Sequence, residues 1–416
     1  MGLSSGYLVV SPPRWAARPA GTGTANVTVF LGSRFSRSAD GFVTSAASNV
    51  AAERWARGLD GVAGVRLAAR VCDAACSEDH RVVGTVVPLP YYVGLRQLVA
   101  ALPRLAFAVD RAVASSSVVV LRMPDAIGYL ATASCVLRGR PFAIDLAGDV
   151  EEVFRSGVAG AFGRRTAALN RAVVARIVRR ANAVRYVTAT ALQAKYPAGG
   201  RATTVAFSAV DLPRDWFGAP TAPKSPEPTI VAVGTHEQLY KGHDDLIRAL
   251  PRILAEHPTT TLRLVGNGRY QAHLRELAAE LGVAEHVRFE GYLPDRADLK
   301  ALLDSAWVFA QPSVTEGLPR ALIEAMARRL PCVGSDVGGI PELLPPEAMV
   351  PPRDPVALAG RLCGLLASAA LRDRLAERNL EEAGRFHPDR IAGPRQAWRE
   401  AIADLRDRRA VALPAA

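Results

Sequence analysis

The feature that most constrains this chain is an alternation of short apolar runs with helical stretches, and the alternation occurs twice. Short continuous apolar runs separated by helices are typical of parallel strands buried on both faces of a sheet. Between the two occurrences lies segment 219–228, whose four prolines in ten residues predict an extended, fairly stiff connector. We therefore predict an α/β protein of two domains with a ligand-binding cleft between them.

Four segments are expected along the 416 residues. Residues 1–25 are predicted to be a flexible extension, because they lack the positive start and the long apolar core of a signal peptide. The first domain is predicted over residues 26–218 and the second over residues 229–390. Residues 391–416 are predicted to form a helix that packs back on the first domain. No apolar run reaches the roughly 18 residues that a membrane span needs.

The five cysteines are odd in number and scattered, which favours a reducing compartment and predicts a cytoplasmic protein. Cys72, Cys76 and His80 have spacings that a metal could use, but no second pair of ligands accompanies them. We therefore predict neither a metal site nor a cofactor.

The sharpest local signal is segment 315–324, Thr-Glu-Gly-Leu-Pro-Arg-Ala-Leu-Ile-Glu, which follows a predicted strand. Its proline is favoured in the first turn of a helix, so the N–H groups of Gly317 and Leu318 would lie at the positive end of the helix dipole. Such an end suits a diphosphate. Glu316 and Glu324 could each accept hydrogen bonds from sugar hydroxyls. The alternative is a capping carboxylate followed by a solvent-facing glutamate.

Two weaker signals follow the first strands of the second domain. Lys241 offers a mobile positive charge to a phosphate, although a lysine before a helix is common on protein surfaces. Gly266 and Gly268 would let the backbone approach a ligand, but Gly-x-Gly is only half of a dinucleotide fingerprint. Neither half opens with Gly-x-Gly-x-x-Gly, which disfavours an NAD-dependent dehydrogenase.

Together these motifs resemble the family-4 retaining glycosyltransferases, which have the GT-B fold of two Rossmann-like domains facing a central cleft. Glu316 and Glu324 match the paired glutamates of that family. Four further stretches are close to its patterns and occur in its order: Lys241–Ile247, Val265–Gly268, Phe289–Gly291 and Ser335–Glu342. The resemblance is strong over residues 229–344.

The resemblance implies a role for each residue of these motifs. Glu324 would bind the ribose of a nucleotide-sugar donor, and Glu316 would contact the donor sugar as a catalytic group. Gly317 and Leu318 would donate backbone N–H bonds to the sugar and its phosphate. Lys241 would neutralise the diphosphate as the glycosidic bond breaks.

Five more residues complete the predicted donor site. Tyr292 and Leu293 would lie beside the base, with Gly266 and Gly268 close to the ligand. Where the family often has an arginine as a second phosphate ligand, this chain has Thr235. Phosphate binding would therefore rest more on Lys241, Thr235 and the helix N-terminus.

The first domain resembles the family less closely, and its acceptor-side residues are predicted from shorter stretches. Gly41 and Arg122 lie in stretches similar to a subset of the family. Asp149 follows the predicted strand 142–146, so it could face the cleft as a catalytic group. The alternative, equally open, is that Asp149 caps a helix that begins at Val150.

The net charge of +11 is unevenly placed, since no acidic residue lies between Glu152 and Asp211. That stretch holds ten basic residues: Arg155, Arg164, Arg165, Arg171, Arg176, Arg179, Arg180, Arg185, Lys195 and Arg201. Such a field attracts an anionic bilayer surface or a polyanion, whereas an ordinary arginine-rich surface is the alternative. No sequence motif supports nucleic-acid binding.

The resemblance predicts a retaining hexosyltransferase of bacterial polysaccharide or glycolipid synthesis. Its partners would be a nucleotide-diphosphate sugar as donor, a sugar or lipid-linked acceptor, and an anionic membrane surface at which a cytoplasmic protein docks. The leaving phosphate itself can take the acceptor proton, so no dedicated base is required. Two alternatives remain: a nucleotide-sugar epimerase of the same fold, and a non-catalytic homologue that binds sugar nucleotides.

Overall fold

The computed structural model describes residues 26–38, 41–44, 46–59, 64–73, 80–82, 84–156, 160–218 and 225–412. The predicted extension 1–25 and most of the proline-rich connector lie outside these ranges. Cys76 lies outside them as well, as does the side chain of His80, so the metal prediction at that place is not tested.

The first domain is built on a nine-stranded sheet, in which β1 is central. The strands are β1 Asn26–Ser38, β2 Gly41–Thr44, β3 Gly64–Cys72, β4 His80–Arg81, β5 Thr85–Pro90, β6 Val118–Met123, β7 Phe142–Leu146, β8 Ala183–Tyr186 and β9 Thr203–Ala206. The order is β4-β2-β1-β6-β7-β8-β9, and β3 pairs with β1 and β5. Every pair is parallel except those made by β2.

Helices cover both faces of this sheet. They are α1 Ala46–Gly58, α2 Gly94–Ala114, α3 Ala126–Leu137, α4 Val150–Arg155, α5 Gly160–Arg180 and α6 Ala191–Lys195. Apolar side chains of α2, α3 and α5 share one core with one face of the sheet. The opposite face packs against α1 and against the last helix of the chain, α13 Pro388–Ala412, through Trp398, Ile402 and Leu405.

The second domain has a six-stranded parallel sheet in the order β12-β11-β10-β13-β14-β15. Its strands are β10 Thr229–Val233, β11 Thr261–Val265, β12 Val287–Gly291, β13 Val308–Gln311, β14 Cys332–Ser335 and β15 Met349–Val350. Its helices are α7 His243–Glu256, α8 Gln271–Glu280, α9 Arg296–Ser305, α10 Arg320–Ala327, α11 Pro355–Ala367 and α12 Ala369–Ala383. Successive strands are added from β10 toward one edge of the sheet and from β13 toward the other edge. The strand order therefore reverses between β10 and β13, and such a switch point opens a crevice for ligands. The predicted α/β architecture with parallel sheets is confirmed.

Two elements continue past residues that often end them. The glycine-bearing stretch after residue 31 continues β1, because Phe35 is buried and pairs with Val71 of β3. The ladder shifts register between Phe30 and Arg34. In the second domain, α7 continues through Pro251, because its buried apolar face holds the helix on the sheet.

Among the described residues, no single helix has both the length and the apolar character of a membrane span. One sharply bent combination, residues 355–367 with 369–407, meets that test on length and composition alone.

Candidate functional site

An ion pair between Lys241 and Glu316 lies at the switch point of the second sheet. Lys241 ends the turn Leu239–Lys241 that follows β10, and Glu316 lies in the loop that follows β13. Because β10 and β13 are neighbours, these loops meet, and Lys241 Nζ lies 2.6 Å from Glu316 Oε1. Burial opposes the charge of Lys241, but the carboxylate of Glu316 outweighs it and raises the pKa of the lysine. Lys241 is therefore charged beside Glu316.

Two buried polar side chains hold the glutamate of this pair. Gln311 Nε2 and Ser313 Oγ donate to Glu316 Oε1 at 3.1 and 2.8 Å. Gly242 brings the lysine turn onto the same loop, because a Cβ there would lie 2.0 Å from a backbone oxygen. Its φ of 70° also favours glycine. The sequence analysis assigned no role to Gln311 or Ser313, since neither shows its partner until the loop is folded.

The segment that leads into α10 contacts the first domain. A Cβ on Gly317 would lie 2.0 Å from the backbone oxygen of Ala147, so only glycine permits this approach. The side chain of Leu318 packs against the cores of both domains. Within the described ranges, no group accepts a hydrogen bond from the N–H of Gly317 or Leu318. These two N–H groups at the amino end of α10 are available for an anion.

Glu324 lies on α10 and is partly buried. None of the side chains that the structure describes donates a hydrogen bond to its carboxylate. Burial raises its pKa, whereas Arg320, Arg296 and Arg54 act in the opposite direction. Arg54 belongs to the first domain, so the field at Glu324 comes from both domains.

The loop after β10 packs against the loop after β11 through Thr235, Gly266 and Gly268. Thr235 Oγ1 donates to the backbone oxygen of Asn267 at 3.3 Å. A Cβ on Gly266 would lie 1.9 Å from a backbone oxygen of the loop after β10, and a Cβ on Gly268 would lie 2.2 Å from a backbone nitrogen there. Their predicted contacts with a ligand remain a prediction.

Tyr292 and Leu293 follow β12, as a base-binding segment would. The tyrosine is 39% exposed and the leucine packs against the core of the second domain.

His236, which was not predicted from the sequence as a site residue, is 1% exposed beside the ring of His243. Neither of its ring nitrogens has a hydrogen-bond partner in the described structure, and burial lowers its pKa to about 4. A single histidine in a loop carries no sequence signal that would have revealed this.

Asp149 is a helix cap in the structure. It is 4% exposed and accepts a hydrogen bond from the N–H of Glu151 at 2.8 Å, at the start of α4. Its two oxygens also bind the hydroxyl of Tyr196 and the ammonium of Lys195. The capping alternative therefore describes Asp149, and its oxygens are already occupied by protein groups. We assign it no catalytic role.

The two predicted acceptor-side residues also have local partners. Arg122 lies 3.0 Å from Asp145, which also pairs with Arg185 at 3.1 Å, so its charge belongs to a cluster on the sheet. Gly41 begins β2 opposite Ser38, with a φ of 130° that favours glycine in a hairpin. The structure does not bring either residue together with the Lys241–Glu316 pair.

A different carboxylate of the first domain lies just beyond the carboxyl end of strand β6. Asp125 is half-buried, follows β6 and faces Gly32, where a Cβ would lie 2.8 Å from Asp125 Oδ2. That oxygen has no hydrogen-bond partner among the described residues, and burial raises the pKa of the group. Asp125 was not among the residues predicted from the sequence.

A carboxylate of the second domain fastens the two domains together. Glu342 accepts hydrogen bonds from the N–H groups of Ala189, Thr190 and Ala191, at 2.7, 2.9 and 2.6 Å. Burial would raise its pKa, but these N–H groups outweigh burial and lower it. The contact closes the cleft beside Leu318.

One group of potential metal ligands exists in the described ranges, at the far end of α7. Glu256, His257 and Cys363 place one ligand atom each within 4.8 Å of one another. His243, at the other end of α7, contacts the donor-side loops, so the group lies roughly 20 Å along the helix from them.

Comparison with known proteins identifies the second domain. Residues 227–368 match the family model described as Glycosyl transferases group 1. Protein CapJ of Staphylococcus aureus is 25% identical over 266 residues, which are 64% of this chain and 65% of that protein. A GDP-mannose-dependent alpha-(1-6)-phosphatidylinositol monomannoside mannosyltransferase of Mycolicibacterium smegmatis is 43% identical over 109 residues, 24% of this chain and 28% of that protein.

Solved structures extend the likeness to both domains. Sucrose-phosphate synthase from Thermosynechococcus elongatus matches with a TM-score of 0.66 and 20% identity, covering 91% of this chain and 100% of that one. HepE of Anabaena in complex with UDP-glucose matches with a TM-score of 0.64 and 16% identity, covering 91% and 99%. At these identities the likeness shows the GT-B fold. The chain spans less than two thirds of the length of the two curated relatives named above.

Proposed function

Residues 227–368 belong to the Glycosyl transferases group 1 family, and from this premise we propose that the chain is a retaining glycosyltransferase. It would transfer a hexose from a nucleotide-diphosphate sugar to a sugar or lipid-linked acceptor. The observation that carries the proposal is the charged Lys241–Glu316 pair, 2.6 Å apart beside the open N–H groups of Gly317 and Leu318.

Each part of this arrangement matches a need of the reaction. Departure of the diphosphate develops negative charge on the phosphate and positive charge on the sugar ring. Lys241 and the two N–H groups are preorganised donors that would stabilise the phosphate, whereas the Glu316 carboxylate would accept hydrogen bonds from the donor sugar. Glu324 has free acceptor capacity for two ribose hydroxyls.

The first domain supplies the acceptor in this proposal. Asp149 is occupied by Lys195, Tyr196 and its own helix, so the leaving phosphate would take the acceptor proton. Asp125 is the better placed carboxylate to bind an acceptor hydroxyl, since one of its oxygens lacks a protein partner.

The activity is tested by incubating the protein with a panel of nucleotide sugars, with and without crude lipid or polysaccharide acceptors. Transfer that requires an acceptor and keeps the anomeric configuration, determined by NMR of the product, would support the proposal. Conversion of the donor sugar without an acceptor would indicate an epimerase. Binding without any turnover would indicate a non-catalytic homologue.

The acceptor class and the membrane surface are part of the same proposal. One relative is named as a mannosyltransferase acting on a phosphatidylinositol monomannoside, and such an acceptor lies in a bilayer. Another, WcaL of Salmonella typhimurium, is named as a putative colanic acid biosynthesis glycosyltransferase and is 35% identical over 164 residues. We therefore favour a lipid-linked acceptor reached from a cytoplasmic, peripheral position.

The charge pattern of the first domain divides into two sets. Arg155, Arg171, Arg185 and Lys195 pair with carboxylates that precede the acid-free stretch. Arg176, Arg179 and Arg180 on α5 are exposed and make no ion pair with any described side chain. These three arginines are therefore available to contact an anionic membrane surface.

Exposed apolar side chains accompany these three arginines. Leu169 and Val173 on α5 are 65% and 39% exposed. On α2, which covers the same face of the sheet, Leu95, Val99 and Phe107 are each at least 60% exposed. Each basic side chain near an anionic surface contributes about 1 kcal/mol, screened over roughly 8 Å at physiological salt, so attachment would be weak and reversible.

Vesicle co-sedimentation tests this attachment. The wild type should pellet with anionic vesicles at low salt and be released at high salt, and a triple Arg176, Arg179, Arg180→Glu variant should remain in the supernatant. The matched control is a triple Arg248, Arg252, Arg288→Glu variant, which changes the net charge equally on exposed positions of the second domain. If both triple variants behave alike, net charge alone explains the binding and the α5 surface is not the docking site.

A further inference from the structure

A cavity of about 190 Å³ lies where the two domains join. Its walls come from α1, β8, the segment after β9, the beginning of α9 and α13. None of the described residues that line it is a predicted donor-site residue. The cavity therefore adjoins the donor site without including it, since Arg54 and Arg296 line the cavity and also act on the carboxylate of Glu324.

The walls of this cavity carry one sign of charge. The lining residues include six arginines: Arg54, Arg57, Arg185, Arg296, Arg395 and Arg399. Asp211 is the one carboxylate among the described lining residues, and it already pairs with Arg395 at 2.9 Å. Outside the lining, Glu53 pairs with Arg57 at 3.4 Å. Arg185 pairs with Asp145, so that Arg54, Arg296 and Arg399 are the lining arginines that make no ion pair with any described side chain.

Two lining side chains, Arg185 and Trp398, are buried and each has a nitrogen without a described partner. Arg185 is 5% exposed, and its Nε has no hydrogen-bond partner in the described structure, although its Nη1 lies 3.1 Å from Asp145. The indole N–H of Trp398, another lining residue, is also buried without a described partner. Burial and the nearby Arg320, Arg122 and Arg185 lower the pKa of Arg54 to about 9.

Guanidinium groups that converge in an enclosed space repel one another, and an anion removes that repulsion. The planar donor fork of arginine matches the oxygens of a phosphate, to which it can bind bidentately. We propose that this arginine cavity binds a phosphate group, either free or as a phosphomonoester. Arg296 belongs to the second domain and the other five arginines to the first domain or to α13, so the bound phosphate would link the two domains.

The test measures binding of inorganic phosphate by calorimetry at constant ionic strength, in a Lys241→Ala background that weakens phosphate binding at the donor site. Arg54→Gln combined with Arg296→Gln should weaken phosphate binding at least tenfold. The matched control, Arg288→Gln, replaces an exposed arginine outside the cavity and should change the affinity less than twofold. Equal phosphate affinity in the double variant and its parent would overturn the proposal.

Thermal unfolding distinguishes loss of the site from loss of the fold. Without phosphate, the double variant should unfold no earlier than its parent, because the substitutions relieve repulsion. Phosphate should raise the Tm of the parent and not of the double variant. If the double variant does not fold, Arg57→Gln, at an exposed lining position, should lower the phosphate-induced rise in Tm, and an unchanged rise would count against the site.

The source of the phosphate is resolved by competition. Soluble glycerol phosphate and vesicles containing phosphatidic acid are each added to the parent and to the double variant. Competition by either probe that depends on the two arginines supports the site and shows whether a soluble ester or a lipid headgroup reaches it. Competition by neither probe would restrict the site to free phosphate.

Discussion

The two domains use charged side chains differently at the carboxyl ends of their strands. In the second domain, Gln311 and Ser313 hold Glu316 against Lys241, while the carboxylate of Glu324 keeps free acceptor capacity. In the first domain, Asp149 is enclosed by its own helix and by Lys195. A carboxylate after a strand therefore indicates a ligand site only where the fold leaves one of its oxygens without a described partner, as it leaves Oε2 of Glu316 and neither oxygen of Asp149.

The two lysines provide the strongest test of this contrast. Lys241→Ala should lower kcat by a factor on the order of 10² to 10³, with a smaller loss of donor affinity, because its charge matters most as phosphate charge grows. Lys195→Ala should reduce stability while folded molecules keep their turnover. Steady-state kinetics on both variants decides: if Lys241→Ala changes KM alone, the lysine binds the donor uniformly and is not catalytic.

Glu324→Ala should weaken binding of the donor nucleotide about thirtyfold while the fold remains intact. The reason is the loss of a partly buried charged acceptor, which costs on the order of 2 kcal/mol. Calorimetric titration measures the effect, with Glu280→Ala on the exposed face of α8 as the control. Unchanged affinity of the Glu324→Ala variant for the donor nucleotide would show that Glu324 does not bind the ribose.

Asp149→Ala should destabilise the protein by about 1–2 kcal/mol, because it removes a helix cap and breaks the ion pair with Lys195. Chemical denaturation measures this loss, and kcat determined on the same preparation should stay within a few-fold of the wild type. A stable variant with a hundredfold lower kcat would restore a catalytic role to Asp149.

The smallest expected effect concerns Glu342, which joins the domains. Its pKa is lowered in the folded protein, so its contribution to stability is present above the ordinary glutamate pKa and is lost as pH falls through the folded value. Hydrogen-exchange protection of the amides of Ala189–Ala191 should therefore fall only in buffer more acidic than the ordinary glutamate pKa. Glu342→Gln should reduce that protection already at neutral pH and abolish its acid dependence. Equal protection in variant and wild type would mean that other contacts close the cleft.

Much of the second domain was predictable because its information is local. The spacing between Glu316 and Glu324, the proline that precedes α10 and the lysine after β10 each predict an anion site from a few residues of sequence. The alternation of apolar runs and helices likewise predicted parallel sheets, since buried parallel strands require continuous apolar segments.

The tertiary structure alone decided which of these residues have spare bonding capacity. Asp149 caps α4 through a local hydrogen bond, but its oxygens are fully occupied only because α6 brings Lys195 and Tyr196 to them from more than 40 residues away. The requirement for glycine at position 317 comes from the carbonyl of Ala147 in the other domain. The arginine cavity gathers residues 54 to 399 from both ends of the chain. Such contacts join segments remote in sequence, and periodicity and motif spacing carry information only about neighbours along the chain.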